Sequence, residues 1–429
     1  MIDMVTNEEA LDLHKKAKGK IETAPKVTLN TGNDLATYYT PGVAFVSEAI
    51  KANKEAAYDY TWKSNTIAIV SDGTRILGLG NIGPEAGLPV MEGKALLFKK
   101  FGAVDAIPLC IGTTDEQEII KFVKNIAPTF GAVNIEDIES PKCFDIVDSL
   151  SDSLGIPVFH DDQHGTSVVI TAGLINALKL AGKTIKNINI VINGAGAAGL
   201  GEVRMLNYMG VKNILVLDKA GIIYEGRQEN MNKYKDEIAK ATNPSKKSGT
   251  LEDAVKNADV LIGVSSAGSF NKNLISLMGD KPIVFALANP VPEIGYEDAK
   301  AAGAFVAATG QSGKPNQVNN VLSFPAIMRG ILDARVIKIK YDLLYYAAKA
   351  LSQAAGKNLA VEHILPDPSN RKEMRRVVEN VAVAIGEAAL KSNNTMVKEI
   401  DPSAMRRSIA ERLARYSKLE KKLSKLLIK

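Results

Sequence analysis

The sequence predicts an α/β protein: an N-terminal α/β domain, then a Rossmann-type doubly wound parallel sheet, closed by C-terminal helices. Three observations carry this. Short, β-branched apolar runs alternate with helix-period stretches between residues 66 and 308, the rhythm of parallel strands joined by crossover helices. Residues 188–218 read as strand, Gly194-Ala195-Gly196-Ala197-Ala198-Gly199, helix, strand and terminal acid. Beyond Pro325 the pattern is helical throughout, clearest over 341–355 and 372–391.

The first 30 residues open with a polar helix and a loop. Pro41 and Gly42 impose a turn beside Tyr39, and 43–50 follows as a helix. Residues 66–70 form a strand and 71–74 a turn. A helix is expected from Met91, with Lys94 in its first turn. Strand 104–110 and helix 115–126 come next, the helix turning Ile119, Ile120 and Val123 inward. Strand 132–135 delivers Glu136 and Asp137 at its C-terminal end, and 143–154 is helical. Strand 157–160 then delivers Asp161 and Asp162, and a long apolar helix starts at Gly165. Later strands are expected at 260–264, 283–287 and 305–308. From Met405 the tail repeats Met405, Ile409, Leu413, Tyr416, Leu419, Leu423 and Leu426 on one face, an amphipathic helix docked on the body or on a second subunit.

Length sets the domain count. At 429 residues the chain exceeds what one core serves, and it divides into 1–160, a dinucleotide-binding 161–400 and a basic helical tail, 401–429. A net charge of +5, from 53 basic and 48 acidic residues spread along the chain, gives no case for nucleic acid. Two cysteines, Cys110 and Cys143, exclude a disulfide framework and suit a reducing compartment. The N-terminus lacks the apolar core of a signal peptide. The longest apolar tract, 167–182, contains Asn176 and Lys179 and is too short to span a bilayer. A cytoplasmic protein is expected, with no membrane partner.

In the glycine loop, Gly194 allows a tight turn, Gly196 lets the backbone approach a pyrophosphate, and Gly199 allows close helix packing. The helix N-terminus presents free N–H groups to the phosphates. Asp218 ends the next strand, where a carboxylate accepts hydrogen bonds from ribose hydroxyls. Gly78-Leu-Gly80-Asn-Ile-Gly83 matches the same pattern. Pro84 and Pro89 follow it, however, and are expected to forbid a long helix, so the dinucleotide is assigned to Gly194. Glu136, Asp137, Asp161 and Asp162 are acids at strand C-termini and suit Mg²⁺ or Mn²⁺; as isolated residues they equally suit helix caps or solvated loops. His160 and His164 read as packed side chains.

Several stretches resemble the malic enzymes: Tyr-Thr-Pro-Gly-Val at 39–43, Gly-Leu-Gly-Asn-Ile-Gly at 78–83, Pro-Val-Met-Glu-Gly-Lys at 89–94 and Asn-Ile-Glu-Asp-Ile at 134–138. So do Phe-His-Asp-Asp-Gln-His-Gly-Thr at 159–166, Asn-Gly-Ala-Gly-Ala-Ala-Gly at 193–199, Ala-Asn-Pro-Val-Pro-Glu at 288–293 and Pro-Asn-Gln-Val-Asn-Asn at 315–320. The resemblance implies oxidative decarboxylation of L-malate to pyruvate and CO₂, with NAD or NADP, Mg²⁺ or Mn²⁺, and a homodimer. It implies Glu136, Asp137 and Asp162 as metal ligands, Lys94 as general base with Asp161 beside it, and Tyr39 as general acid. Arg75, Lys94, Asn289 and Asn320 are implied at the substrate, and Ala195 to Ala198 under the pyrophosphate. A lysine base must be partly neutral, so a lowered pKa is expected for Lys94.

Without the resemblance, Lys94 reads as a surface lysine, Tyr39 as a packed turn residue and Arg75 as an ion-pair partner. The loop 310–315 departs from the pattern common among small microbial members. Asp218 disfavours a 2′-phosphate and so favours NAD, while Lys219 partly compensates and leaves NADP open. A non-decarboxylating hydroxy-acid or amino-acid dehydrogenase would need the Gly194 loop but not the metal acids. A non-catalytic dinucleotide sensor would need neither Lys94 nor Tyr39.

Overall fold

The computed structural model describes residues 6–427, with side chains to Leu423. Residues 1–5 of the expected opening segment and the Leu426 side chain of the tail lie outside the described residues. The chain forms two parallel sheets. The first holds β1 (Thr66–Ser71), β2 (Asp105–Cys110), β3 (Ala132–Ile135) and β4 (Val158–His160) in the order β2-β1-β3-β4. The second holds β5 (Asn189–Asn193), β6 (Asn213–Asp218), β7 (Gly221–Ile222), β8 (Val260–Gly263), β9 (Ile283–Ala286) and β10 (Val306–Thr309), in the order β10-β9-β8-β5-β6-β7. All pairings are parallel except β6 with β7. In each sheet the chain first builds to one side of its opening strand and then to the other. The resulting switch points, β1/β3 and β5/β8, are where open α/β sheets form ligand crevices.

Burial follows the period of two. On β9, Ile283 and Phe285 enter the main core while Val284 and Ala286 enter a smaller second one. The main core spans both sheets and the C-terminal helices. Helix Phe324–Asp333 is the bridge, since it lies so close to helix Pro84–Gly102 that a Cβ on Gly102 would sit 2.7 Å from the Pro325 carbonyl.

Two expectations change. The helix carrying Lys94 starts at Pro84, not Met91, and runs to Gly102. Pro84 occupies its first turn, where a missing N–H costs nothing and φ is already set. The lost bond at Pro89 is offset by a buried face of Gly87, Met91, Ala95 and Phe98. The two-residue strand β7 is the second change; it is too short to leave a periodic signal. The tail is a helix, Pro402–Leu427, docked on the body: Met405 and Ile409 are buried, and Arg406 Nη1 donates to Asn380 Oδ1 at 2.8 Å. At the other end of the chain, helices Asn7–Ala17, Gly32–Tyr38 and Gly42–Ala52 bury no residue at all.

Candidate active site

The carboxyl ends of β3 and β4 bring acids to one lysine. Lys94 Nζ lies 2.5 Å from Asp161 Oδ2 and 2.9 Å from Glu136 Oε1, and 4.3 Å from the centroid of the Phe324 ring. Asn134, two residues before Glu136 and so on the same strand face, donates to Glu136 Oε2 at 2.7 Å. Asn320 Nδ2 donates to Asp161 Oδ2 at 3.1 Å and to Thr166 Oγ1 at 2.9 Å. Asp161 opens a π-helical turn, Asp161–Gly165, before helix Thr166–Ala181; such turns are frequent at functional sites. Gly165 is obligatory there, because a Cβ would sit 1.9 Å from Asp161 Oδ1.

The electrostatics are those of crowded like charge. Burial lowers the Lys94 pKa, but Asp161 and Glu136 outweigh it and raise the value above that of an ordinary lysine. Burial, and then the charges of Asp161, Asp137 and Asp162, push Glu136 well up against the pull of Lys94. Burial and Asp162 bring Asp137 to about 7. One lysine does not neutralise four neighbouring acids, so the cluster suits an additional cation. Among the described residues, no three His, Cys, Asp or Glu side chains already surround a common point for a metal ion; Lys94 holds Glu136 and Asp161 to itself. Asp161 Oδ1 is buried without a hydrogen-bond partner.

At the β5/β8 switch point the glycines have distinct tasks. Gly194 has φ +132°, and a Cβ there would sit 2.5 Å from the Val264 carbonyl. A Cβ on Gly199 would sit 1.9 Å from the Gly194 carbonyl, whereas Gly196 faces open space. Gly196 precedes helix Ala197–Tyr208, which has no side-chain cap, so its first N–H groups stay available to an anion. Gly201 lets this helix touch the π-turn, since a Cβ there would meet the Gln163 carbonyl at 2.4 Å. The glycine loop and the Asp161 cluster are thereby held in one piece.

Residues 18–121 match the family model "Malic enzyme, N-terminal domain", and residues 163–390 match "Malic enzyme, NAD binding domain". The chain is 48% identical over 400 residues to the bifunctional malic/malolactic enzyme of Bacillus subtilis, covering 93% of this chain and 96% of the relative. It is 48% identical to the NAD-dependent malic enzyme of Geobacillus stearothermophilus, covering 87% and 77%. The crystal structure of malic enzyme from Pyrococcus horikoshii superposes with a TM-score of 0.93 at 44% identity, covering 98% of each chain. The chain belongs to the malic enzyme family.

In this malic enzyme, Lys94, Glu136, Asp137, Asp161 and Asn320 come together, with Asp162 in electrostatic range of Glu136 and Asp137. Lys94 is not a surface lysine, and its pKa is raised where the sequence suggested a lowered one, because two carboxylates contact it directly. Arg75 N–H donates to the Asp137 carbonyl at 3.1 Å while its side chain is exposed. Asn289 is also exposed; the adjoining Pro290 lies 3.2 Å from where a Gly78 Cβ would be, so the loops after β1 and β9 meet at the rim. Tyr39 does not join: it is 65% exposed, and among the described residues its phenol has no partner. His160 and His164 are buried, and His164 Nδ1 accepts from the His160 N–H at 3.1 Å.

Asp218 is not a free acceptor. It takes hydrogen bonds from Ala220 N–H (2.9 Å), Arg227 (2.9 and 2.6 Å), Asn230 (2.9 Å) and Lys235 (2.7 Å). Burial alone would raise its pKa, but Arg227 and Lys235 hold it below the ordinary value. Two cations therefore offset the charge expected to repel a 2′-phosphate. These partners, Asn134 and Phe324 were not assigned roles from sequence. Neither was Glu293, which accepts from Ser265 N–H and Ala288 N–H at 2.9 Å each and clips the loops after β8 and β9. Only the alternation Asn134/Glu136 carried a readable signal.

Proposed function

We propose that this malic enzyme oxidises L-malate at C2 and releases CO₂, forming pyruvate and reduced NAD(P). The observation that carries this is Lys94 wedged between Asp161 and Glu136, on a piece rigidly shared with the Gly194 loop. Lys94 acts as base on the C2 hydroxyl only after it gives up its own proton, and Asp161 Oδ2 at 2.5 Å is the acceptor in place. Asn320 orients Asp161. Arg75 suits a substrate carboxylate because its side chain is exposed at the rim and its charge already acts on nearby Asp137, and exposed Asn289 adjoins Pro290 at the same rim. Tyr39 is assigned the return of a proton to the enol by the family motif at 39–43 alone, since in its own chain it stands 65% exposed and outside this cluster. The dinucleotide lies along Gly194 to Gly199 with its adenosine end toward Asp218.

Glu136, Asp137 and Asp162 would hold Mg²⁺ or Mn²⁺, in competition with Lys94 for Glu136; the crowded acids and the unpartnered Asp161 Oδ1 support that fit. Such an ion supplies Lewis-acid stabilisation of negative charge on the substrate as CO₂ departs. We place the domain divisions near 160 and 400, and the protein in the cytoplasm as a homodimer. No helix among the described residues is long and apolar enough to cross a membrane.

The test is turnover of L-malate with Mn²⁺ and either NAD or NADP, following pyruvate and reduced cofactor together. Equal yields of both, abolished by EDTA, are expected. Oxaloacetate without pyruvate would reduce the activity to plain dehydrogenation.

A further inference from the structure

We propose that Glu293 is a positioning residue for the reaction: its carboxylate fixes the amide residue Asn289 in register with the glycine loop that holds the dinucleotide. This rests on the reading of Asn289 as a contact of malate.

Glu293 is wholly buried, and backbone donors meet both of its carboxylate oxygens. Ser265 N–H donates to Oε1 and Ala288 N–H to Oε2, at 2.9 Å each. Burial raises its pKa, and these two N–H groups pull it back toward the charged form. The chain makes room for the carboxyl: a Cβ on Gly263, the last residue of β8, would sit 2.5 Å from Glu293 Cδ. A buried carboxylate costs far more to desolvate than an apolar side chain of the same size. Packing alone therefore does not account for an acid here.

Its two oxygens face two different tasks. On the cofactor side, Ser265 Oγ accepts from Asn193 Nδ2 at 2.9 Å, and the Asn193 carbonyl accepts from Val264 N–H at 3.0 Å. Asn193 ends β5 and Gly194 follows it, so Oε1 grips the segment against which the glycine loop is built. On the substrate side, Oε2 grips Ala288, the residue before Asn289. The Asn289 side chain is exposed, with a 3.4 Å contact from Nδ2 to the Leu287 carbonyl. Its aim is thus set by the backbone that carries it. Gly310 lies against the same segment, since a Cβ there would sit 3.1 Å from both Asn289 Nδ2 and the Leu287 carbonyl.

Hydride transfer requires C2 of malate and the nicotinamide in near-contact, and small misplacements are costly in rate. The substrate amide follows β9 and the dinucleotide loop follows β5, with β8 between them. Glu293 closes that gap by holding the ends of β8 and β9 through one rigid group. Glutamine cannot replace it, because its NH₂ would face a backbone N–H where an acceptor is needed.

A double-mutant cycle of Glu293→Gln and Asn289→Ala decides it, read as KM for L-malate at saturating NAD and as the Kd for NAD by calorimetry. Glu293→Gln should raise KM about tenfold, the loss of one buried hydrogen bond, and leave the Kd within about twofold, because Asn193 still holds the Ser265 loop. In the Asn289→Ala background the same change should leave KM where Asn289→Ala alone puts it. A carboxylate with a merely structural role would give equal fold-changes in both backgrounds, and that result, or an unchanged KM in Glu293→Gln, overturns the proposal. Should Glu293→Gln fail to fold, Gly310→Ala displaces Asn289 with Glu293 intact; a raised KM is expected, and an unchanged one overturns the proposal. A wild-type enzyme that does not oxidise malate would instead sink the functional reading and this inference with it.

Discussion

Two loops of this chain place glycines in the same pattern, each between a parallel strand and a helix that leads to a second parallel strand. After β5, three residues separate strand from helix, and Gly199 already lies inside the helix against the Gly194 carbonyl. After β1 the loop runs from Asp72 to Gly83. Its last glycine is the residue before the helix, with φ +82°, and Pro84 has no N–H to offer. The first design aims backbone donors at empty space, as a phosphate requires. The second removes a donor and sends Leu77 and Leu79 outward beside Arg75. Glycine spacing is common to both; what separates them is where the helix starts relative to those glycines. The proline argument from sequence therefore pointed away from Gly78 for a reason the structure does not support, since a 19-residue helix follows Gly83 after all.

If the two loops divide chemistry from cofactor binding, damage to each should read out differently. Lys94→Ala, on the helix after the first loop, should lower kcat by about 10²–10⁴-fold with the Kd for dinucleotide unchanged by calorimetry. Equal losses in both would merge the two roles. Gly199→Ala drives a Cβ into the Gly194 carbonyl. It should cost roughly 1–3 kcal/mol in chemical denaturation and weaken the dinucleotide as well, whereas Gly80→Ala, with nothing within 4 Å but φ +76°, should cost about 1–2 kcal/mol and leave the dinucleotide alone.

The smallest effect concerns Glu202, on the helix of the second loop. It is fully buried, neither carboxyl oxygen has a hydrogen-bond partner, and burial pushes its pKa well up despite the nearby Thr171 hydroxyl. A carboxyl whose folded pKa is raised stabilises fully below its unfolded value and loses that contribution as pH rises toward the folded one. Glu202→Gln should therefore match wild type near pH 4.5 and gain Tm over it progressively through neutral pH. A Tm difference that does not change with pH would contradict this.

Most of the fold was legible because the strands are short apolar runs, several of which end at a polar residue, as Ile135 ends before Glu136 and β4 ends at His160 before Asp161. The acids of the site were legible for the same reason, since strand C-termini in open sheets point at ligands. Charge partners were not. Lys94 meets Asp161 across 67 positions, and Arg227 and Lys235 reach Asp218 from a loop and a helix with no periodic relation to it. The exposure of helices Asn7–Ala17, Gly32–Tyr38 and Gly42–Ala52 escaped for another reason: they read like any other helices, and only the three-dimensional structure shows that they bury no residue.

The most direct test is a dinucleotide titration of Gly196→Val. Gly196 faces open space with ordinary φ, so the variant should keep the wild-type Tm. Its two methyl groups would stand where the pyrophosphate is placed, and the account predicts a Kd for NAD at least about tenfold weaker, or ~1.4 kcal/mol. A Gly196→Val protein that binds NAD like wild type, with Gly80→Ala the weaker binder, would move the cofactor to the other loop and contradict the account.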